Sequence, residues 1–316
     1  MTGASRPWPP SGQAPAVSVV MTSYNHAAYL GEAMASVGAQ TWTDWELLVV
    51  EDGSADDSLA VAQALAAADR RIRILRHPGG GNRGLPASLA LGAGAASAPL
   101  IAFLECDDAW RPDCLERRLH AFSRHGADVV FNNAEPVPMG PGDVGRMERY
   151  LANMRLRFPR SGPVKPFPGL WLGNVVPSFS CAMLRSSWLR GCDFASPEPA
   201  WLDWWIWLQL GGRARFVWLD APLTRWRVHA ASYGASLSGV TARNKRLLAG
   251  WLARSETPGP LPVRLALALP GPGLPALRRL WLFGLRLWRR FAETARTGPA
   301  CPRRSRADAG RNRPDV

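Results

Sequence analysis

Residues 16–58 read AVSVVMTSYNHAAYLGEAMASVGAQTWTDWELLVVEDGSADDS, and this stretch decides the architecture of the first half of the chain. An apolar run that ends in polar residues is followed by a segment with helical spacing and then by a second apolar run. Short, continuous apolar runs are typical of strands that are buried on both faces. The stretch therefore predicts a strand, a helix and a second strand, with polar side chains after each strand.

The same alternation continues as far as residue 108. Asp56 or Asp57 can cap a second predicted helix, because Asp is a favoured residue at helix N-termini. The further predicted elements are the helix DDSLAVAQALAAAD, the strand RIRILRH, the helix GLPASLALGAGAAS and the strand LIAFLECDD. Strands that alternate with helices predict an α/β fold, with a mainly parallel sheet covered by helices on both faces.

Polar clusters follow three of the predicted strands: TSYN at 22–25, EDGS at 51–54 and ECDD at 105–108. In parallel sheets, ligands bind beyond the carboxyl ends of the strands, which share one edge. The ring of Tyr24 suits stacking on a base, and Asp52 suits an N–H group or a ribose hydroxyl. The acids of ECDD repel one another unless Mg²⁺ or Mn²⁺, together with substrate phosphates, completes the site. Each cluster alone also fits a turn or a helix cap, but their common edge favours a shared site.

The charge is unevenly distributed along the chain. The net charge is +13, and residues 241–316 hold sixteen Arg and Lys against four acidic residues. The first 240 residues are therefore close to neutral, which argues against a nucleic-acid-binding protein. The five cysteines have no regular spacing, so we expect neither a disulfide framework nor a zinc site, and a reducing cytoplasm fits best. We also expect no membrane-spanning helix and no signal peptide.

The basic C-terminal part contains an amphipathic pattern at 275–296, PALRRLWLFGLRLWRRFAETAR. On a helical wheel, leucines and the tryptophans Trp281 and Trp288 share one face, and arginines occupy the other. This pattern predicts a helix that lies on an anionic membrane surface, which would place the protein at the inner face of the cytoplasmic membrane. The alternative is a helix that packs on the main domain with its arginines in water.

The residues between about 17 and 233 resemble a family 2 glycosyltransferase with the GT-A fold. The resemblance lies in the stretch quoted above and in NRGLPASLALG, LIAFLECDDAWRPDCLERRL, LGNVVPSFSCAMLRSSWL and DWWIWLQLGGRARFVWLDAPLTRWRVHAAS. It implies a Rossmann-like nucleotide-binding half and inverting transfer of a sugar from a nucleotide-sugar donor, for which we expect a UDP-sugar. It also implies a glycan or lipid-linked acceptor in cell-surface polysaccharide biosynthesis.

The resemblance divides the chain into a disordered tail at 1–16, a GT-A domain at 17–235 and a basic helical extension with a disordered end at 236–316. It also assigns site residues. The implied nucleotide-binding residues are Thr22, Tyr24, Asn25, Asp52, Asn82, Gly84 and Asp107. The implied ligands of Mg²⁺ or Mn²⁺ are Glu105, Asp107, Asp108 and His229. Asp107 matches the metal-binding aspartate of the DXD motif, whereas Glu105 replaces the usual first Asp.

The catalytic base is expected in WLDWWIWLQL, where the family often carries several acids. Asp203 is the only carboxylate there, because Leu202 and Trp205 occupy two positions where acids are common. An inverting transfer needs a base to accept the proton of the acceptor hydroxyl, and Asp203 is the predicted base. Two alternatives stay open: Asp203 caps the helix, or the protein is a degenerate, non-catalytic nucleotide-sugar binder. A dehydrogenase is disfavoured, because GGGNRG does not match G-x-G-x-x-G.

Overall fold

The computed structural model of the protein describes residues 14–139, 144–166, 169–196 and 201–229. The described strands are β1 (Val17–Ser23), β2 (Trp45–Glu51), β3 (Ile72–Arg76), β4 (Leu100–Phe103), β5 (Ala109–Trp110), β6 (Val129–Pro138), β7 (Gly162–Val164), β8 (Ala182–Arg185) and β9 (Phe216–Val228). The described helices are α1 (Ala27–Gly38), α2 (Ser58–Ala68), α3 (Leu85–Ala95), α4 (Cys114–His125), α5 (Val144–Arg157), α6 (Gly169–Leu172), α7 (Ser186–Leu189) and α8 (Leu202–Leu210), with a 3₁₀ turn at Phe179–Cys181. The predicted tail up to residue 13 and the predicted extension from 236, including the helix at 275–296, lie outside these ranges.

The strands that the structure describes form one mixed sheet in the order β3-β2-β1-β4-β8-β6-β9-β5, with β7 paired to β9. The four strands predicted from the sequence, β1 to β4, are mutually parallel, as expected. Beyond β4 the pairing becomes mixed, because β8 runs antiparallel to both of its neighbours and β9 is parallel to β6 but antiparallel to β5. The α/β fold with a parallel, Rossmann-like half is therefore confirmed.

Strands β1, β2 and β4 of the parallel half are buried on both faces because helices pack on each side, whereas the edge strand β3 is partly exposed. In β1, Val19 and Met21 join a core cluster with Leu30 and Met34 of α1, whereas Val20 faces the opposite cluster. Alternate residues of a strand point to opposite faces, so a continuous apolar run is what a sheet covered on both sides requires. This packing fixes the carboxyl ends of β1, β2 and β4 along one edge.

Strand β9 carries the chain back to that edge. It pairs with β6 along its whole length, and its first residues also pair with β7. On its other side, Thr224 and Arg225 pair with β5, where Ala109 lies opposite Arg225. The register between β6 and β9 shifts on both sides of Asn133. The strand thereby places Arg225, Arg227 and the following His229 beside the loop that joins β4 to β5. No described helix is long and apolar enough to cross a membrane.

Two glycines of α3 offer a test of how tightly this helix packs on the sheet. A methyl group at Gly92 would lie 2.4 Å from Cγ1 of Val20 and 3.1 Å from Cγ2 of Val50, whereas at Gly94 it would meet no described atom within 4 Å. We expect Gly92→Ala to destabilise the protein by about 1–3 kcal/mol through overpacking. Gly94→Ala should stabilise it by about 0.5–1 kcal/mol through helix propensity. Urea denaturation measures both, and equal effects would contradict the close approach of α3 at Gly92.

Candidate active site

The loops after β1 and β2 are joined by hydrogen bonds. The backbone N–H of Asn25 donates to Oγ of Ser54 over 3.0 Å, and the N–H of Ala55 donates to Oδ1 of Asn25 over 2.8 Å. Asn25 has φ = 55°, a left-handed conformation that Asn tolerates better than most residues. The N–H of Ala27, at the start of α1, donates to Oδ2 of Asp56 over 2.9 Å. Asn25 and Asp56 therefore hold the two loops together. Tyr24, in the first of these loops, stays 45% exposed.

Asp52 fixes the loop that precedes α3. Its buried carboxylate accepts the N–H of Arg83 over 2.7 Å and the N–H of Gly84 over 2.9 Å. Gly53 has φ = 74°, and a β-carbon there would lie 2.7 Å from the backbone nitrogen of Asn82. The structure thus brings Asp52, Asn82 and Gly84 together at the end of β2. Thr22 lies near the end of β1, the strand that pairs with β2.

The loop after β4 carries the acidic cluster. Oδ2 of Asp107 lies 3.1 Å from Nε2 of His229. A ring nitrogen of His26, a carboxylate oxygen of Asp107 and a ring nitrogen of His229 all lie within 4.8 Å of one another. Asp107 and His229 were both predicted as metal ligands from the sequence. His26 was not, although it follows TSYN directly at the same edge of the sheet.

Glu105 and Asp108, also predicted as metal ligands, do not belong to this group of three. The backbone N–H of Glu105 donates to Oγ of Ser180 over 3.0 Å. Asp108 is buried, and its Oδ1 accepts the backbone N–H of Arg227 over 3.0 Å. Burial and the charge of the neighbouring acids raise the pKa of Glu105 and of Asp108 well above the usual range. The loop therefore holds several acids in a poorly solvated place, and a bound divalent cation would favour their ionised forms.

A divalent cation fits the residues that meet here. One carboxylate and two imidazoles are common metal ligands, and their ligand atoms already lie close together. The acidic residues around them supply the negative field that favours a cation.

Helix α1 and the end of β9 hold this site from the other side. Arg227 is buried, and its Nη1 donates to the backbone oxygen of Asp107 over 2.8 Å. Glu32 of α1 forms ion pairs with Arg227 and Arg225. The ring of Tyr29 is stacked on that of His229, with centroids 5.3 Å apart and planes at 19°. Thus Arg225 and Arg227 of β9, and His229 just after it, all contact α1.

Asp203 lies in the first turn of α8. The Nδ2 amide of Asn174 donates to its Oδ2 over 2.5 Å, and the N–H of Trp204 donates to its Oδ1 over 2.6 Å. The residue before the helix, at the N-cap, is Trp201 rather than Asp203. Burial raises the pKa of Asp203 to about 7, although these hydrogen bonds favour the carboxylate. The charge of Asp203 also helps to raise the pKa of Glu105, so the two carboxyls lie within electrostatic range of each other.

The match to the sequence model of glycosyl transferase family 2 spans residues 18–192, which is more than half of the chain. The chain belongs to this family. It is 30% identical over 237 residues to the uncharacterized glycosyltransferase alr2836 of Nostoc sp. strain PCC 7120, covering 72% of this chain and 70% of that protein. The resemblance inferred from the sequence is therefore confirmed.

Two further relatives of this family 2 glycosyltransferase match over shorter stretches. The succinoglycan biosynthesis protein ExoO of Rhizobium meliloti is 33% identical over 48% of this chain and 42% of that protein. The UDP-Glc:alpha-D-GlcNAc-diphosphoundecaprenol beta-1,3-glucosyltransferase WfgD of Escherichia coli is 31% identical over 38% of this chain and 46% of that protein. Both matches therefore leave more than half of each relative unaligned.

Solved structures confirm the GT-A fold of this family 2 glycosyltransferase. The structure of S. aureus TarS 1-349 in complex with UDP-GlcNAc matches with a TM-score of 0.58 and 17% identity, over 76% of this chain and 67% of that one. The mannosyltransferase PcManGT from Pyrobaculum calidifontis, in complex with GDP-Man and Mn²⁺, matches with a TM-score of 0.56 and 15% identity, over 94% and 80%. At such identities the likeness concerns the fold.

The raised pKa of Asp203 in this family 2 glycosyltransferase predicts a pH dependence of stability. A carboxyl whose pKa is higher in the folded protein contributes stability that is complete below its unfolded pKa of 3.8 and is lost as the pH rises to about 7. We expect the free energy of unfolding of the metal-free wild type, relative to Asp203→Asn, to fall from pH 5 to pH 7 and to level off above that. The whole change is at most about 4 kcal/mol. Urea denaturation at several pH values measures this change. If the free energies of unfolding of the wild type and Asp203→Asn changed with pH in parallel, the carboxyl of Asp203 would lie in solvent.

Proposed function

We propose that this glycosyltransferase transfers a sugar, with inversion, from a nucleotide-sugar donor to a glycan or lipid-linked acceptor in cell-surface polysaccharide biosynthesis. A UDP-sugar is the proposed donor. The names of WfgD and ExoO support this choice, since one specifies UDP-Glc and a diphosphoundecaprenol acceptor and the other succinoglycan biosynthesis. The complex of TarS with UDP-GlcNAc agrees with it.

The nucleoside is proposed to bind at the ends of β1 and β2. Tyr24 offers an exposed ring for stacking on the base, and Thr22 offers a hydroxyl nearby. Asp52 accepts two backbone N–H groups from the loop before α3, so it sets the position of Asn82 and Gly84. Its oxygens retain lone pairs for a base N–H or a ribose hydroxyl. Asn25 contributes by closing the loop on which Tyr24 lies.

Asp107 and His229 are proposed to hold Mg²⁺ or Mn²⁺. When bound, such an ion supplies positive charge to the diphosphate leaving group. Asp107 and His229 are already oriented, since Arg227 fixes the backbone of Asp107 and Tyr29 stacks on the imidazole. Asp107 is thus proposed both as a ligand of the metal ion and as one of the nucleotide-binding residues. Glu105 and Asp108 are proposed to add negative charge around the ion.

Asp203 is proposed to accept the proton of the acceptor hydroxyl as that oxygen attacks the sugar. A base works best when its pKa lies close to the working pH, and burial gives Asp203 a pKa of about 7. The amide of Asn174 orients the carboxylate and leaves the remaining lone pairs of its oxygens for the acceptor. Asn174 therefore acts as a positioning residue in this proposal.

The observation that carries the proposal is the grouping of Asp107 and His229 at the edge where the parallel strands end, with Asp203 near enough for its charge to act on Glu105 of the same loop. It is tested by screening UDP-, GDP- and dTDP-sugars, with and without Mn²⁺, for thermal stabilisation and for release of the nucleotide. We expect one nucleotide class to raise the melting temperature only with metal and to be slowly hydrolysed. A panel in which no nucleotide sugar stabilises the protein would contradict the proposal.

A non-catalytic nucleotide-sugar binder is the second candidate. It is favoured by the burial of Leu202 and Trp205, which fills with apolar surface two positions of α8 where the family often has acids. A binder would be stabilised by the donor in the same screen, but would neither hydrolyse it nor transfer the sugar.

The GT-A domain is proposed to span 17–235, with the tail at 1–16 and the extension at 236–316 outside it. The segment 275–296 is proposed to bind an anionic membrane surface at the cytoplasmic face. Truncation after residue 270 should release the protein from anionic vesicles without changing donor binding. Several arginines at about 1 kcal/mol each suffice for reversible attachment. Vesicle sedimentation measures the effect, and equal binding of both forms would favour packing of the helix on the main domain.

A further inference from the structure

His26 is a histidine at the candidate site to which the proposed function gives no role. It is the residue before α1, and it is half-buried. One of its ring nitrogens lies within 4.8 Å of both the carboxylate of Asp107 and a ring nitrogen of His229. These three residues come from the ends of β1, β4 and β9, so three separate elements bring them together.

The hydrogen bond of His26 fixes its tautomer. Its Nδ1 lies 2.6 Å from the backbone oxygen of Tyr24. A carbonyl oxygen only accepts hydrogen bonds, so the proton of the neutral ring lies on Nδ1 and Nε2 keeps its lone pair. Histidines that bind metal ions commonly donate their other N–H to a backbone carbonyl in this way.

The other two residues are held by their neighbours. The ring of His229 is stacked on Tyr29, and its centroid lies 6.1 Å from that of His26. The backbone of Asp107 is fixed by Arg227, which in turn is paired with Glu32 of α1. Little rearrangement is therefore required to bring two imidazoles and one carboxylate to a common ion.

We infer that His26 is a third protein ligand of the divalent cation, and that this site binds Mn²⁺ or Co²⁺ before the nucleotide sugar arrives, in preference to Mg²⁺. The inference rests on the proposed function, because it concerns the same ion. Mg²⁺ takes oxygen ligands and gives up its waters reluctantly, so two imidazoles disfavour it. Imidazole nitrogen is a ligand suited to divalent transition metals. The affinity of a given site for these ions rises from Mn²⁺ through Co²⁺ to Cu²⁺. A site with three protein ligands also needs no donor phosphate to retain the ion.

The test uses the metal-stripped full chain and Mn²⁺ alone, without nucleotide. The signal of free Mn²⁺ in electron paramagnetic resonance reports the bound fraction. We expect the wild type to bind Mn²⁺, and a large excess of Mg²⁺ to leave most of it bound. His26→Ala should weaken binding at least 10-fold, since even indirect partners of metal ligands contribute about 10- to 100-fold. His120→Ala removes an exposed histidine of α4 and should bind as the wild type does.

Pulsed resonance of Mn²⁺ bound to the wild type gives a second measurement that does not depend on how a variant folds. Two imidazole nitrogens should couple to the ion if His26 is a ligand, and only one if His229 acts alone. Equal affinities of the wild type and His26→Ala, one nitrogen coupling, or binding only with UDP present would each overturn the inference. If Asp107→Ala then still abolishes metal binding, the proposed function survives. If it does not, the metal part of the proposed function fails as well.

Discussion

Asp203→Asn is expected to lower sugar transfer by about two to four orders of magnitude while leaving the affinity for the donor close to that of the wild type. The substitution keeps the size of the side chain and removes the group that accepts the proton. The single oxygen of the new amide can keep one of the two donors, from Asn174 or Trp204, so the fold should lose only about 1–3 kcal/mol. Transfer with the donor found in the screen, and donor binding by calorimetry, measure the two effects.

Asp193→Asn is a matched control for this substitution. Asp193 lies in the exposed loop before α8, and its backbone oxygen accepts the indole N–H of Trp205. The control makes the same chemical change next to the same helix, away from the acidic loop, and should retain full transfer. If Asp203→Asn also retained transfer, Asp203 would have a structural role only.

The pH profile of transfer separates a base from a residue that merely supports the helix. With a pKa of about 7, Asp203 is largely protonated below that pH, so transfer should fall on the acid side. Asn174→Ala removes a hydrogen bond that favours the carboxylate, and should move the acid limb to higher pH. An acid limb that does not move in Asn174→Ala would contradict this role of Asn174.

The sequence predicts the parallel half well because each of its features is local. The buried strands and the helices between them have clear periodicity, and polar residues such as Tyr24 and Asp52 mark the strand ends. The sheet beyond β4 could not be predicted in the same way, since β8 and β9 reach their neighbours without a repeated strand–helix pattern. No element was predicted between residues 134 and 170, where the structure has α5 and β7.

The candidate site could be predicted only in part, because several of its contacts join residues that are far apart in the sequence. Asp107 and His229 could be named from motifs, but their neighbour His26 depends on a contact across about 200 residues of sequence. The partnership of Asn174 with Asp203 likewise joins two segments with no common motif. From the sequence, Glu105 and Asp108 were predicted as metal ligands together with Asp107. Their backbone and side-chain contacts with Ser180 and the N–H of Arg227 distinguish them only in the folded chain.

Asp107→Ala is expected to abolish metal-dependent donor binding and to leave the fold intact. The side chain of Asp107 is part of the candidate ligand group and lies 3.1 Å from Nε2 of His229. Arg227 donates to the backbone oxygen of Asp107, and the substitution spares this hydrogen bond. Removing the carboxylate relieves repulsion on Glu105 and Asp108 but also removes the contact with His229. We expect the relief to equal or exceed the loss, so the free energy of unfolding without metal should rise or stay the same. Calorimetry of the donor with and without Mn²⁺, together with urea denaturation, measures both effects. Asp44→Ala, which removes an exposed carboxylate, serves as the control.

Loss of donor binding together with a less stable fold would indicate that Asp107 supports the structure. Loss of donor binding with an equally or more stable fold is the result expected of a metal site. The acids of such a site repel one another and are poorly solvated, which destabilises the metal-free protein, and the bound ion offsets this cost.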